Sequence, residues 1–146
     1  MNRGIRFQKI WSDKEVIQFW IDSCDGDSLF SSEVYIGHQD LADLIEGLNT
    51  FKDQVHGGIY DFQLGAFGPE FANGAFQARF HFQIRGKIYI TINAQSDFRE
   101  FGIKTVASEA TIYLISEPAL LDNFIVELEA LRDGSAIEAH LEAVIA

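Results

Sequence analysis

GAFQARFHFQIRGKIYITINA, residues Gly74 to Ala94, alternates apolar and polar side chains almost throughout. A period of two is the repeat of a β-strand with one buried and one solvated face. Phe76, Ala78, Phe80 and Phe82 share one face of a first strand, and Ile88, Ile90 and Ile92 share one face of a second. Directly paired residues in an antiparallel hairpin lie on the same face, so even-numbered positions must pair with even-numbered ones. That parity predicts a three-residue turn, Ile84-Arg85-Gly86, which pairs Phe82 with Ile88 and Phe80 with Ile90. It also places Gly86 where such a loop asks for a left-handed residue.

The other face of the hairpin carries Arg79, His81, Arg85 and Lys87 in a protein of net charge −11. With Tyr89 or Thr91 beside them, these groups form an anion-binding candidate. Alternation alone also puts them in water, and the strip is read first as the wet side of a sheet.

Working outward, Ile5–Trp11, Val16–Asp22 and Phe30–Ile36 read as strands, the last two joined around an Asp25-Gly26 turn. From His38, Leu41, Leu44, Ile45, Leu48, Phe51 and Val55 recur at helical spacing and predict an amphipathic helix over His38–Val55. Asp40 and Asp43 lie in its early turns, where they complement the helix dipole. Tyr60–Ala66 alternates as a half-buried strand, and GPEFANG, from Pro69 and its flanking glycines, breaks the run. SEATIYLIS, from Ser108, predicts the last strand.

A second helix follows, with Ser116 as cap, Pro118 in the first turn and Gly134 at the end. Ser135 and Glu138 form a capping box that predicts a short third helix carrying Ile137, Leu141, Val144 and Ile145. Strands grouped rather than alternating with helices indicate an α+β fold. The expectation is one domain over residues 1–146, a largely antiparallel sheet with the helices on one face.

The totals agree with that class. At 146 residues, one core buries about 70% of the unfolded surface without disulfides. Cys24 is the only cysteine, so no internal disulfide forms and a reducing, cytoplasmic setting is expected. No stretch has the continuous apolar length of a membrane span, and the opening MNRGIRFQKIW lacks the apolar run of a signal peptide. A strong acidic excess repels nucleic-acid phosphates and anionic membranes and favours basic partners. Tyr35, Tyr89 and Tyr113 therefore do not read as a nucleobase-stacking platform.

The residues offer little to catalysis. His38, His56, His81 and His140 are scattered singly, without metal-ligand spacing. Asp22-Ser-Cys-Asp25-Gly-Asp27 lacks the glycine and late glutamate of a calcium loop, so neither metal nor cofactor is expected. Asp22 and Asp25 would disfavour a Cys24 thiolate. No nucleophile elbow or phosphate-cradling glycine loop is present. His81 and Glu70 are the remaining candidates for a small enzyme, and a phenylalanine-lined pocket for a small molecule is a further alternative.

Carboxylates concentrate in two places. The last 30 residues hold many of them on helix faces, against Arg132 alone. Asp22, Asp25, Asp27 and Glu33 form a second group without a basic residue, centred on a loop, where recognition residues concentrate. Asp97 and Glu100, in SDFREFG, form a smaller one.

An early Trp11 before strands, the strand-into-helix VYIGHQDLADLIEGLNTF, the long hairpin and the strand-into-helix ATIYLISEPALLDNFIVELEAL make up a layout. It resembles the WapI-type immunity proteins of bacterial polymorphic toxin systems over about residues 11 to 135. The resemblance implies a non-enzymatic protector that binds a cognate toxin domain in the producing cell and blocks its action. It supplies no catalytic residues. With the charge, it points to a basic, nuclease-like toxin as partner and to Asp22, Asp25, Asp27, Glu33, Asp97 and Glu100 as contact residues.

Overall fold

The computed structural model describes residues 1–70 and 73–145, so Phe71 and Ala72 of the GPEFANG break lie outside the described residues. Strands β1 (Gly4–Ser12), β2 (Val16–Cys24) and β3 (Leu29–Gly37) lead into helix α1 (His38–Phe51). Then come β4 (Ile59–Leu64), β5 (Ala75–Ile84), β6 (Lys87–Gln95), β7 (Arg99–Phe101), β8 (Lys104–Val106) and β9 (Glu109–Ser116). Helix α2 (Pro118–Asp133) and β10 (Glu138–Glu142) complete an α+β domain whose paired strands are all antiparallel.

The strands form two four-stranded sheets rather than the one expected. Sheet A has the order β10-β1-β2-β3, sheet B the order β4-β5-β6-β9, and β7-β8 is a separate ribbon. The inner faces of both sheets and the apolar stripes of both helices share one core. Where the sheets adjoin, Gly74 allows the chain past β3. A Cβ there would stand 2.3 Å from the Glu33 carbonyl oxygen and 3.1 Å from that of Gln95.

The β5–β6 hairpin keeps the predicted facing but turns differently. Phe80 pairs with Ile90 and His81 with Tyr89, and then the register shifts so that Ile84 pairs with Lys87. Only Arg85-Gly86 remain as the turn, with Gly86 at φ +84°. The odd residue demanded by parity is absorbed by a bulge before the turn, which leaves Phe82 and Ile88 both buried.

The predicted third helix is instead the edge strand β10. Ala139 and Leu141 point inward while Glu138, His140 and Glu142 point outward, a period of two that the capping box obscured. The unpaired edge of β1 decides the matter, because its backbone groups need partners. Besides the β10 pairing, Lys9 N–H donates to Ile137 O at 2.8 Å and Ala143 N–H to Arg3 O at 3.1 Å.

Ser116 likewise does not cap α2. It still belongs to β9, is fully buried, and donates from Oγ to Glu142 O at 2.6 Å. The N-cap is Glu117, Pro118 opens the helix, and Gly134 closes it in the left-handed conformation as predicted.

Strand and helix readings of the C-terminal segment differ in what mutation costs. Leu141→Ala is expected to lose about 3 kcal/mol in urea denaturation, as a buried leucine does, while exposed Ile137→Ala stays within about 0.5 kcal/mol. A helix burying Ile137 and Leu141 together would make the two losses comparable.

Candidate functional site

No helix covers the outer face of sheet A, and its cross-strand rows can be read from the register. Gln8, Trp20 and Glu33 form one row, Trp11, Gln18 and Tyr35 a second, and Arg6, Asp22 and Ser31 a third. Trp20, Tyr35 and Trp11 are 36%, 40% and 49% exposed. Aromatic side chains grouped on a solvent-facing surface are characteristic of the centres of protein interfaces.

Asp22 organises this face from beneath. It is 2% exposed and accepts from Arg6 Nε at 3.0 Å, Trp20 Nε1 at 2.9 Å and Ser31 Oγ, besides its ion pair with Arg6 Nη2. A buried carboxylate is tolerable only when so completely paired. Its oxygens are spent within the protein, which removes Asp22 from the expected contact residues.

The rest of that group divides. Asp25 accepts from the N–H groups of Asp27 and Ser28 at 2.9 and 2.7 Å and holds the β2–β3 turn, and these bonds keep its carboxyl below the usual range. Asp27 is exposed, and Glu33 lies half-buried on the outer face opposite Trp20.

The SDFREFG connection is not a plain loop. Its β7 and β8 make a short arm that turns at Gly102-Ile103. Asp97 pairs with Arg99 at 3.1 Å at the base, and Glu100 is exposed. At the tip Phe101 is 71% exposed and Ile103 wholly so. A cleft of about 370 Å³ between arm and β3 is lined by Phe30, Ser31, Arg99, Glu100, Phe101 and Val106 among others. That cleft sets Glu100 across from Phe30 and Ser31 of β3, whereas Asp25 lines a separate cleft with Arg3, Tyr89 and Val144.

The basic strip on sheet B is largely neutralised. Arg79 donates to both oxygens of Asp61 at 2.7 and 3.0 Å, and Lys87 meets Glu117 at 2.7 Å. His81 lies between Ile59 and Tyr89 on this open face, Arg85 sits in the turn, and Glu70 is exposed on its loop. Phe7, Phe19, Phe51, Phe76, Phe80, Phe82 and Phe124 are buried in the core, with Phe51 and Phe82 stacked at 4.8 Å. Among the described residues, no three metal-ligating side chains gather and no helix is long and apolar enough to cross a membrane.

Trp20 and Ile103 were the residues missed. The outward position of Trp20 was legible, since Ile17, Phe19 and Ile21 claim the buried parity and leave Gln18, Trp20 and Asp22 to the other side. The apolar Phe101 and Ile103 resemble core residues in sequence, and only the projecting hairpin exposes them. Compared with protein-family models, with curated proteins and with solved structures, the chain matches none.

Asp22→Ala leaves Arg6 and the indole N–H without their acceptor, and a loss of about 3 kcal/mol in chemical denaturation is expected. On sheet B, hydrogen bonds from Arg79 hold the Asp61 carboxyl below its ordinary value of 3.8. The pair's stabilisation is therefore present above that value and lost as pH falls through the lowered one, and its exposure keeps it small. Carboxyl NMR titration should return Asp61 to near 3.8 in Arg79→Ala.

Proposed function

We propose that this protein is an immunity protein, a non-enzymatic inhibitor that binds a cognate toxin domain in the cytoplasm by direct contact. The observation that carries the reading is the β7–β8 arm, which stands next to Phe30 and Ser31 of β3 and whose tip holds Phe101 and Ile103 out in solvent. Exposing a large apolar side chain without intramolecular cover is unfavourable, and such sites on soluble proteins mark surfaces that a partner buries. The net charge of −11 supports a basic partner, steered onto the acidic surface and selected by charge pairs. The layout resemblance supports the same class.

Co-expression with the toxin domain encoded by the adjacent gene should restore growth and yield a complex that co-purifies. Absence of both the complex and the rescue would sink the proposal. Ile103→Asp is expected to weaken the complex about tenfold or more, equivalent to about 1.4 kcal/mol, while leaving the melting temperature unchanged because the side chain has no intramolecular cover.

A further inference from the structure

We infer that the outer face of sheet A is the docking surface for a cationic segment of the partner, with Trp20 as its anchor and Glu33 as its charge-pairing group. The inference rests on the immunity reading and specifies the chemistry of its interface.

Three observations converge on this face. Trp11, Trp20 and Tyr35 come from three adjacent strands and stand partly exposed on the same outward face, in neighbouring cross-strand rows. The indole edge of Trp20 is tied to Asp22 by the 2.9 Å bond from Nε1, and Asp22 is itself held by Arg6 and Ser31. The ring is thereby ordered before a partner arrives, which lowers the entropic cost of docking.

Charge identifies the occupant. Among the outward strand positions of sheet A, Arg6 is the one Lys or Arg, and it is consumed by Asp22. Among the described residues, neither Glu33 beside Trp20 nor Glu142 of β10 makes an ion pair of 4 Å or less. Glu138 stands 3.8 Å from Arg6 Nε and keeps half of its side chain in water.

An aromatic face next to unpaired carboxylates suits Lys or Arg side chains. The cation lies over the ring and its hydrogen-bond donors reach the carboxylate. A second copy of this chain fits poorly, because each copy carries −11 and would set Glu33 near like charge.

The test uses full-length protein and the purified, catalytically inactivated toxin domain encoded by the adjacent gene, with affinity measured at low and high salt. Trp20→Ala is expected to weaken binding about thirtyfold or more, as a hot-spot residue does. Trp20→Phe, which keeps a ring but loses the N–H, should fall between it and wild type. Glu33→Gln should slow association several-fold and flatten the salt dependence. Melting curves of each variant separate lost contacts from lost folding.

If wild type binds, and Trp20→Ala and Glu33→Gln bind within about threefold of it at low salt, this face is not the docking surface and only this inference falls. Failure of wild type to bind overturns the immunity reading and the inference with it. A wild-type dimer that Trp20→Ala converts to monomers would assign the face to a second copy and overturn the cationic partner.

Discussion

The ring of Phe7 is the point on which the two sheets and the second helix converge. It lies 5.6 Å from Phe19 of sheet A, 5.9 Å from Phe76 of sheet B and 5.7 Å from Phe124 of α2, the last two edge-on. Edge-to-face aromatic contacts are directional as well as apolar, so they constrain how the layers are set against one another. Phe51 plays the corresponding part for α1, stacking on Phe82 and meeting Phe80 edge-on. With both helices drawn to the inner faces, the outer faces of both sheets are left without helical cover.

Those two outer faces have the same origin and different chemistry. On sheet B, strand alternation places polar groups that satisfy one another, Arg79 with Asp61 and Thr111 with Asn93. On sheet A, the same alternation exposes Trp20, Trp11 and Tyr35, and the carboxylate best suited to pairing, Asp22, is buried on that face by Arg6 and Ser31 and holds the Trp20 indole. A face whose charges are internally matched has little to offer a charged partner. One with ordered rings and unmatched carboxylates has more, and this difference locates the proposed recognition surface on sheet A.

Much of the fold was legible because it depends on local periodicity. The strand-into-helix passage through Gly37, the apolar stripe from Leu41 to Phe51, Pro118 and Gly134 at the ends of α2, and the inward phenylalanines of β5 all follow from spacing and backbone preference. The errors share another feature. Ser135 and Glu138 have the side chains of a helix start, yet the edge of β1 takes the segment as a strand. A capping motif is worth about 1 kcal/mol, whereas leaving a row of backbone donors and acceptors unpaired costs more. Asp22 was misplaced for a related reason, since a carboxylate near a loop looks solvent-bound until Arg6, sixteen positions earlier, is brought beside it.

The sequence alone therefore determined the element types over most of the chain, the inward faces of β4, β5, β6 and β9, and a net acidic balance. These properties reside in neighbouring residues and in totals. Tertiary structure decided the division into two sheets, the strand identity of residues 138–142 and the bulge that reconciles parity with a two-residue turn. It also decided which charges are spent within the molecule. Each of these depends on pairing between segments distant in the chain, where backbone hydrogen bonds and buried ion pairs outweigh local preference. In the opening stretch, alternation was enough to place the phenylalanines inside, but only the contacts of Arg79 with Asp61 and Lys87 with Glu117 showed that its basic face is largely neutralised.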